Sequence, residues 1–322
     1  MLIRLMPIPA MLVSAMCAAS MIACGGEFEP AVAPLSSQTA TEYSANASVI
    51  GVDASSALDA TLSTASQLVQ GMAGSLNAGR KQALATSSGA LNCAAGGQAT
   101  MTISGASLLQ ELNGQLDAGE VYQIAFVDCR GAAKQAVLNG NVTMTVAKSS
   151  GGVAAVTLST TTLNATLPRG MLSFIGSADV QRTVIPSDGG SDVTTRVTAS
   201  SLTITTDFNS RTGNFTLSDV NLTRQASYSD AGLQSISYDG THSLAGISAG
   251  QAFEYTVATQ GGATYNANGI PTQGAWVITL PHQIVTTSVA DGTATIAVGD
   301  GKDGNSDRSF SVSTVLLTAG AG

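Results

Sequence analysis

Leu138-Asn139-Gly140-Asn141-Val142-Thr143-Met144-Thr145-Val146 sets Leu, Val, Met and Val on one parity and Asn and Thr on the other. Side chains of a strand point to opposite faces in turn, so this stretch reads as a strand with one buried and one wet face. Tyr122, Ile124 and Phe126 repeat the pattern, as do Trp276, Ile278 and Leu280. One-sided burial is the habit of antiparallel sheets. Turn signals divide the runs: Pro186-Ser187-Asp188-Gly189-Gly190, Asn209-Ser210-Arg211-Thr212-Gly213 and Ser229-Asp230-Ala231-Gly232. The apolar phase slips between Leu217 and Val220, and again between Val312 and Val315. Such slips predict β-bulges, which bend long strands. The expected fold is all-β: a large curved antiparallel sheet closing into a barrel, half-barrel or sandwich.

Ahead of the strands, Leu58, Leu62, Leu68, Val69, Met72 and Leu76 recur at three- and four-residue intervals. This predicts one accessory helix over about 53–85, capped by Asp53 or Ser55 and weakened by Gly71, Gly74 and Gly79. Its apolar stripe suits packing on the sheet; a lid over a ligand cavity is the sharper alternative. Residues 24–48 hold Pro30, Pro34 and few large apolar side chains, and read as a tether. The β domain is then expected over 49–322.

The first residues carry Arg4 and no acid before Glu27, and an apolar run from Met11 leads to Ile22-Ala23-Cys24-Gly25. The run fits the core of a signal peptide and is too short to span a bilayer as a helix. Ile22 and Ala23 before Cys24 resemble the lipobox of bacterial lipoproteins, with Met21 where Leu is usual. Cys17 is the poorer candidate, since Met16 is large for the position before cleavage. The resemblance implies removal of residues 1–23, lipid on Cys24 and anchoring to a membrane of the bacterial cell envelope. Gly25, where Asp would favour inner-membrane retention, points to the outer membrane. The competing reading is an ordinary secretory leader with Cys24 left as a thiol.

The chain has 322 residues and a net charge of −8, a balance that argues against nucleic acid as partner. One Trp, six Tyr and seven Phe are too few for the two aromatic girdles of a transmembrane barrel. With Cys17 in the leader and Cys24 lipidated, Cys93 and Cys129 remain as an even pair in an oxidising compartment, so a disulfide is expected. No metal site and no cofactor is expected, because two cysteines and two distant histidines lack ligand spacing.

Gly246-Ile247-Ser248-Ala249-Gly250 matches G-x-S-x-G, the nucleophile elbow of α/β hydrolases, with His242 nearby. The elbow needs a strand-to-helix turn, whereas the flanks here read as β, so no catalytic residue is assigned. His282 follows Pro281 in an expected loop. Asp303-Gly304-Asn305-Ser306-Asp307 starts like a calcium loop but meets Arg308 where Gly is needed.

Cys93-Ala94-Ala95-Gly96-Gly97, then Gly119-Glu120, then Phe126-Val127-Asp128-Cys129, then Leu138-Asn139-Gly140 resembles a module of uncharacterised proteobacterial envelope lipoproteins. In that family C-x-x-G-G and F-x-x-C flank an acidic loop; here the loop is poorer, with Glu111, Asn113, Gln115 and Asp117, and Glu120 replaces Asp. The resemblance implies a disulfide-linked β unit in the envelope and brings no activity. The expected role is non-enzymatic, structural or interactive, with an envelope protein as partner. The alternative is a carrier for a lipid or other apolar ligand in the concave face of the sheet.

Overall fold

Strands joined by tight turns have no choice but to pair with their chain neighbours, and to do so antiparallel. The computed structural model of the protein describes residues 34–76, 89–105, 114–133, 136–208, 211–230, 232–248, 251–300 and 306–318. Helix α1 spans Ser37–Leu76. The strands that follow are β1 (Gly89–Asn92), β2 (Gln98–Gly105), β3 (Glu120–Arg130), β4 (Val137–Ser150), β5 (Val153–Leu167), β6 (Gly170–Ser187) and β7 (Gly190–Phe208). Then come β8 (Arg211–Ser229), β9 (Gly232–Ser248), β10 (Gln251–Tyr265), β11 (Pro271–Thr279), β12 (Ile284–Ala290), β13 (Thr293–Gly299) and β14 (Arg308–Ser313). They form one open antiparallel sheet in sequence order, with β1 and β14 at its edges. Cys93 and Cys129 are disulfide-bonded, with Cα atoms 5.5 Å apart, and the bond ties the β1–β2 turn to the end of β3.

Strands β6 to β9 run for 18, 19, 19 and 17 residues, or roughly 60 Å at the rise of a strand. They stay in one sheet because they are bent on the way. The pairing register shifts between Phe126 and Cys129, Asn141 and Thr143, Thr160 and Leu163, Gly176 and Asp179, Ser218 and Asn221, and Ala258 and Ala263. Bulges therefore recur across much of the sheet, and each adds twist and bend. The one at Ser218–Asn221 sits on the phase slip between Leu217 and Val220. The second slip has a different cause: β14 stops at Ser313, and Thr314–Thr318 is a 3₁₀ turn that buries Leu317. Gly140 shows what a bulge demands. Its φ is 107°, and a Cβ there would lie 1.9 Å from the carbonyl oxygen of Thr162.

The sheet curls around α1, which touches strands from β1 to β13. Every residue from Ser44 to Leu62 is buried except Ser56. Burial on all sides marks a core helix, and α1 achieves it with Ala, Ser, Thr, Gly and Val rather than large side chains. Small residues let strands approach from every direction. The helix starts sixteen residues before the expected 53, so residues 37–48 belong to it and not to a tether. The compact unit runs from Pro34. Asp53 and Ser55 lie mid-helix instead of capping it. The cap is Ser36, whose Oγ accepts from the Thr39 amide at 3.0 Å. Residues 77–88, the end of the expected helix, lie outside the described residues.

Inward positions are mainly apolar and outward ones mainly polar; the exceptions include Val127, Ile175, Ile185 and Ile247, which are exposed, and Arg224 and His242, which are buried. On β8, Phe215, Leu217, Val220 and Leu222 are buried while Asn214, Thr216, Asp219 and Asn221 are exposed. A lipid-facing barrel carries the opposite, an apolar outer belt. Among the described residues no helix is long and apolar enough to cross a membrane.

Candidate functional site

A buried helix of Ser and Thr brings polar groups into the core, and each buried group must find a partner. Part of the demand is met within α1: Ser55 Oγ donates to the Val52 carbonyl at 3.0 Å and Thr61 Oγ1 to the Ala57 carbonyl at 2.8 Å. The rest is met by the sheet. Tyr265 donates to the Ser48 carbonyl at 3.0 Å, Tyr238 to the Val52 carbonyl at 2.8 Å, and Ser48 to the Leu317 carbonyl at 2.8 Å. Ser44 and Thr287 hydroxyls lie 2.7 Å apart.

Two acids of α1 carry charge into the interior. Asp59 is fully buried, and its carboxylate accepts from Arg182 at 2.9 Å, Thr195 at 2.6 Å and Arg224 at 3.1 Å. Asp53 pairs with Arg169, which also donates to the Gly269 carbonyl. Burial pushes the Asp53 carboxyl above its ordinary range, and the Arg169 guanidinium opposes that rise. Oδ2 of Asp53 and Nε of Arg224 have no hydrogen-bond partner.

Beside these groups is a cavity of about 320 Å³. Its walls are Val52, Asp53 and Ser56 of α1, the β5–β6 turn at Leu167–Arg169, Arg224 of β8, Leu233 and Ile236 of β9, and Tyr265 with the turn after it. The rim residues Ala133, Pro168, Ala267 and Asn268 are exposed, so the cavity reaches the surface. Guanidinium donors, a carboxylate acceptor and apolar walls make a set suited to binding.

A second hollow, of about 380 Å³, lies on the outer face of β2–β5 among Thr100, Gln123, Asn141, Thr143, Ser159 and Thr161. It is walled by hydroxyls and amides.

The residues singled out in the sequence do not converge on either place. Cys24 and its neighbours lie outside the described residues. Gly246–Ser248 ends β9, and Gln251, the first residue of β10, pairs with Ser248. That is a hairpin, not a strand-to-helix turn. His242 is six residues along the same strand from Ser248, roughly 20 Å by strand rise, so the two cannot form a catalytic pair. Its ring is buried against Gly51 of α1, and neither nitrogen has a partner. Burial pushes its pKa down to about 4. His282 is exposed in the β11–β12 turn. Glu120 accepts from the Tyr122 hydroxyl and the Asp117 amide. Residues 301–305, most of the calcium-like stretch, lie outside the described residues.

Asp53, Asp59, Arg169, Arg182 and Arg224 do not stand out as site residues in the sequence. A signal exists all the same: Arg224 shares the parity of Leu222 and Ala226, and Arg182 that of Val180 and Val184. An arginine on the apolar parity of a strand announces an acid across the core. Comparison with protein-family models, with curated proteins and with solved structures finds no match to this chain.

Proposed function

We propose that the protein is a lipid-anchored, non-enzymatic lipoprotein of the bacterial outer membrane that acts through its outer surface, in a structural or interaction role. The observation that carries this reading is the all-round burial of α1 from Ser44 to Leu62, which fills the concave side of the sheet with the protein's own helix. What remains to meet a partner is the polar outer face, with its hydroxyl- and amide-walled hollow on β2–β5. The apolar run ending at Ile22-Ala23-Cys24 supports the anchor.

Labelled palmitate tests the anchor. The wild type takes up label and fractionates with outer membrane, and Cys24→Ala does neither; a soluble, unlabelled wild type overturns it. Photo-crosslinkers at Gln123 and Asn141 test the surface in cells. A discrete crosslinked envelope protein is expected, and its absence from both positions counts against an interaction role. The carrier reading, a lipid or other apolar ligand in the concave face, has less support because α1 occupies that space. Co-purified lipid found by mass spectrometry would revive it.

A further inference from the structure

We infer that Arg169 is an acid-released clasp that joins the β5–β6 and β10–β11 turns over the cavity beside α1. The inference goes beyond the anchoring and interaction reading and stands whether or not Cys24 carries lipid.

The two turns sit on strands well apart in the sheet, and the curl brings them together. Arg169 bridges them: its guanidinium donates to the Gly269 carbonyl in the β10–β11 turn and to Asp53 on α1. The other hydrogen bonds of residues 266–270 stay within that turn. Among the described residues, this one side chain therefore carries the turn's hydrogen-bonded link to the rest of the protein. Gly269 is shaped for the contact. Its φ is 74°, and a Cβ added there would lie 2.9 Å from Cζ of Arg169. Leu167 and Pro168 beside Arg169, and Ala267 and Asn268 beside Gly269, line the cavity, so parting the turns widens it.

This is the less complete of the two buried ion pairs on α1. Asp59 accepts through both oxygens from three side chains, whereas Oδ2 of Asp53 has no partner. A buried carboxylate that is half satisfied is costly to keep charged, and burial raises the Asp53 carboxyl against the pull of Arg169. Arg169 cannot give up its own charge. Once Asp53 takes a proton, a guanidinium with 9% of its side chain exposed is left without its acid, and water becomes the better surrounding. The other groups around Asp53 do not titrate between neutral pH and about pH 5. Burial raises the phenols of Tyr238 on β9 and Tyr265 on β10, and Arg224 of β8, on the same cavity, keeps its charge. His242, against Gly51, stays neutral above about pH 4. The folded chain takes the Asp53 proton at a higher pH than the unfolded chain does, so this step does not favour global unfolding. What it opens is local.

Hydrogen exchange read by mass spectrometry tests the clasp on the full chain in detergent, with rates corrected for the intrinsic effect of pH. Two variants are compared with the wild type: Asp53→Asn, which copies the protonated acid, and Arg169→Met. Both are expected to exchange residues 266–270 on the order of tenfold faster at about pH 7.5, with α1 and β8 as protected as before. The wild type is expected to gain the same local exchange between about pH 7.5 and about pH 5, and Asp53→Asn to gain nothing further. Unchanged exchange at 266–270 in both variants overturns the clasp. Faster exchange spread through α1 and β8 overturns it as well, since the pair would then hold the whole fold and not the turn. Wild-type exchange that ignores pH, while both variants open the turn, overturns the acid release. If the variants fail to fold, the pH comparison on the wild type decides alone.

Discussion

Arg224 of β8 holds the carboxylate of Asp59 on α1 at 3.1 Å in the interior, with side-chain exposures of 2% and 0%. The two residues are far apart in the chain, and their pairing fixes the rotation of the helix within the curled sheet. Slipping α1 by one residue would turn Asp59 about 100° away from Arg182, Thr195 and Arg224 together.

This arrangement makes Asp59 the most costly polar position to change. Asp59→Leu leaves two guanidiniums facing each other without their acid, and removing one partner of a buried ion pair costs about 3–5 kcal/mol. Urea unfolding of Asp59→Leu should show a loss in that range. The double variant Asp59→Leu with Arg224→Met should lose less than the sum of the two single changes, because it removes the stranded charge as well. Additive losses would mean that the two residues do not act as a pair.

The contrast between Gly140 and Gly71 tests the role of the bulges. Gly140 has φ 107° and would place a Cβ 1.9 Å from the Thr162 carbonyl oxygen, so Gly140→Ala must move backbone. A loss of at least about 2 kcal/mol is expected, from strain and overpacking together. Gly71 lies exposed on α1, and a Cβ added there would meet nothing within 4 Å, so Gly71→Ala should gain about 1 kcal/mol through helix propensity. Equal effects at the two sites would remove the bulge from the explanation.

The Cys93–Cys129 bond closes a separation of 36 residues. Cys129→Ala should cost about 2–5 kcal/mol, the usual loss for a native bridge. Alkylation of the denatured, unreduced protein followed by peptide mapping should find neither Cys93 nor Cys129 labelled. Label on both would show that the bond does not form in the cell.

Much of the sheet is legible in the sequence because its signals are local. The alternation around Leu138–Val146, the turn at Pro186–Gly190 and the slip at Leu217–Val220 each report on neighbours in the chain. The helix is legible only where large residues mark a stripe, from Leu58 to Met72. Its first half is written in Ser, Ala and Val, a composition that reads as a linker until strands surround it. The site is hidden for the same reason. Asp59 meets Arg182 and Arg224 only once the sheet has curled, and no spacing along the chain records that meeting. The parity of the two arginines is the one local trace.

His242 offers a pH test of the packing between helix and sheet. Its ring sits against Gly51, where a Cβ would come within 3.0 Å of Cε1, and against no hydrogen-bond partner at either nitrogen. Burial lowers its pKa from 6.5 to about 4, so the folded protein holds it neutral. The unfolded chain takes up a proton near the ordinary value. Between about pH 6.5 and pH 4 the unfolded state therefore binds more protons, and stability falls as the pH is lowered. The shift corresponds to about 3 kcal/mol lost across that window. Denaturant midpoints measured from pH 7 to pH 4 should fall more steeply in the wild type than in His242→Leu, which has no ring to protonate. Parallel pH profiles would mean that the ring gains a proton acceptor or water as the pH drops, and that α1 is held less tightly over β9 than the packing around Gly51 indicates.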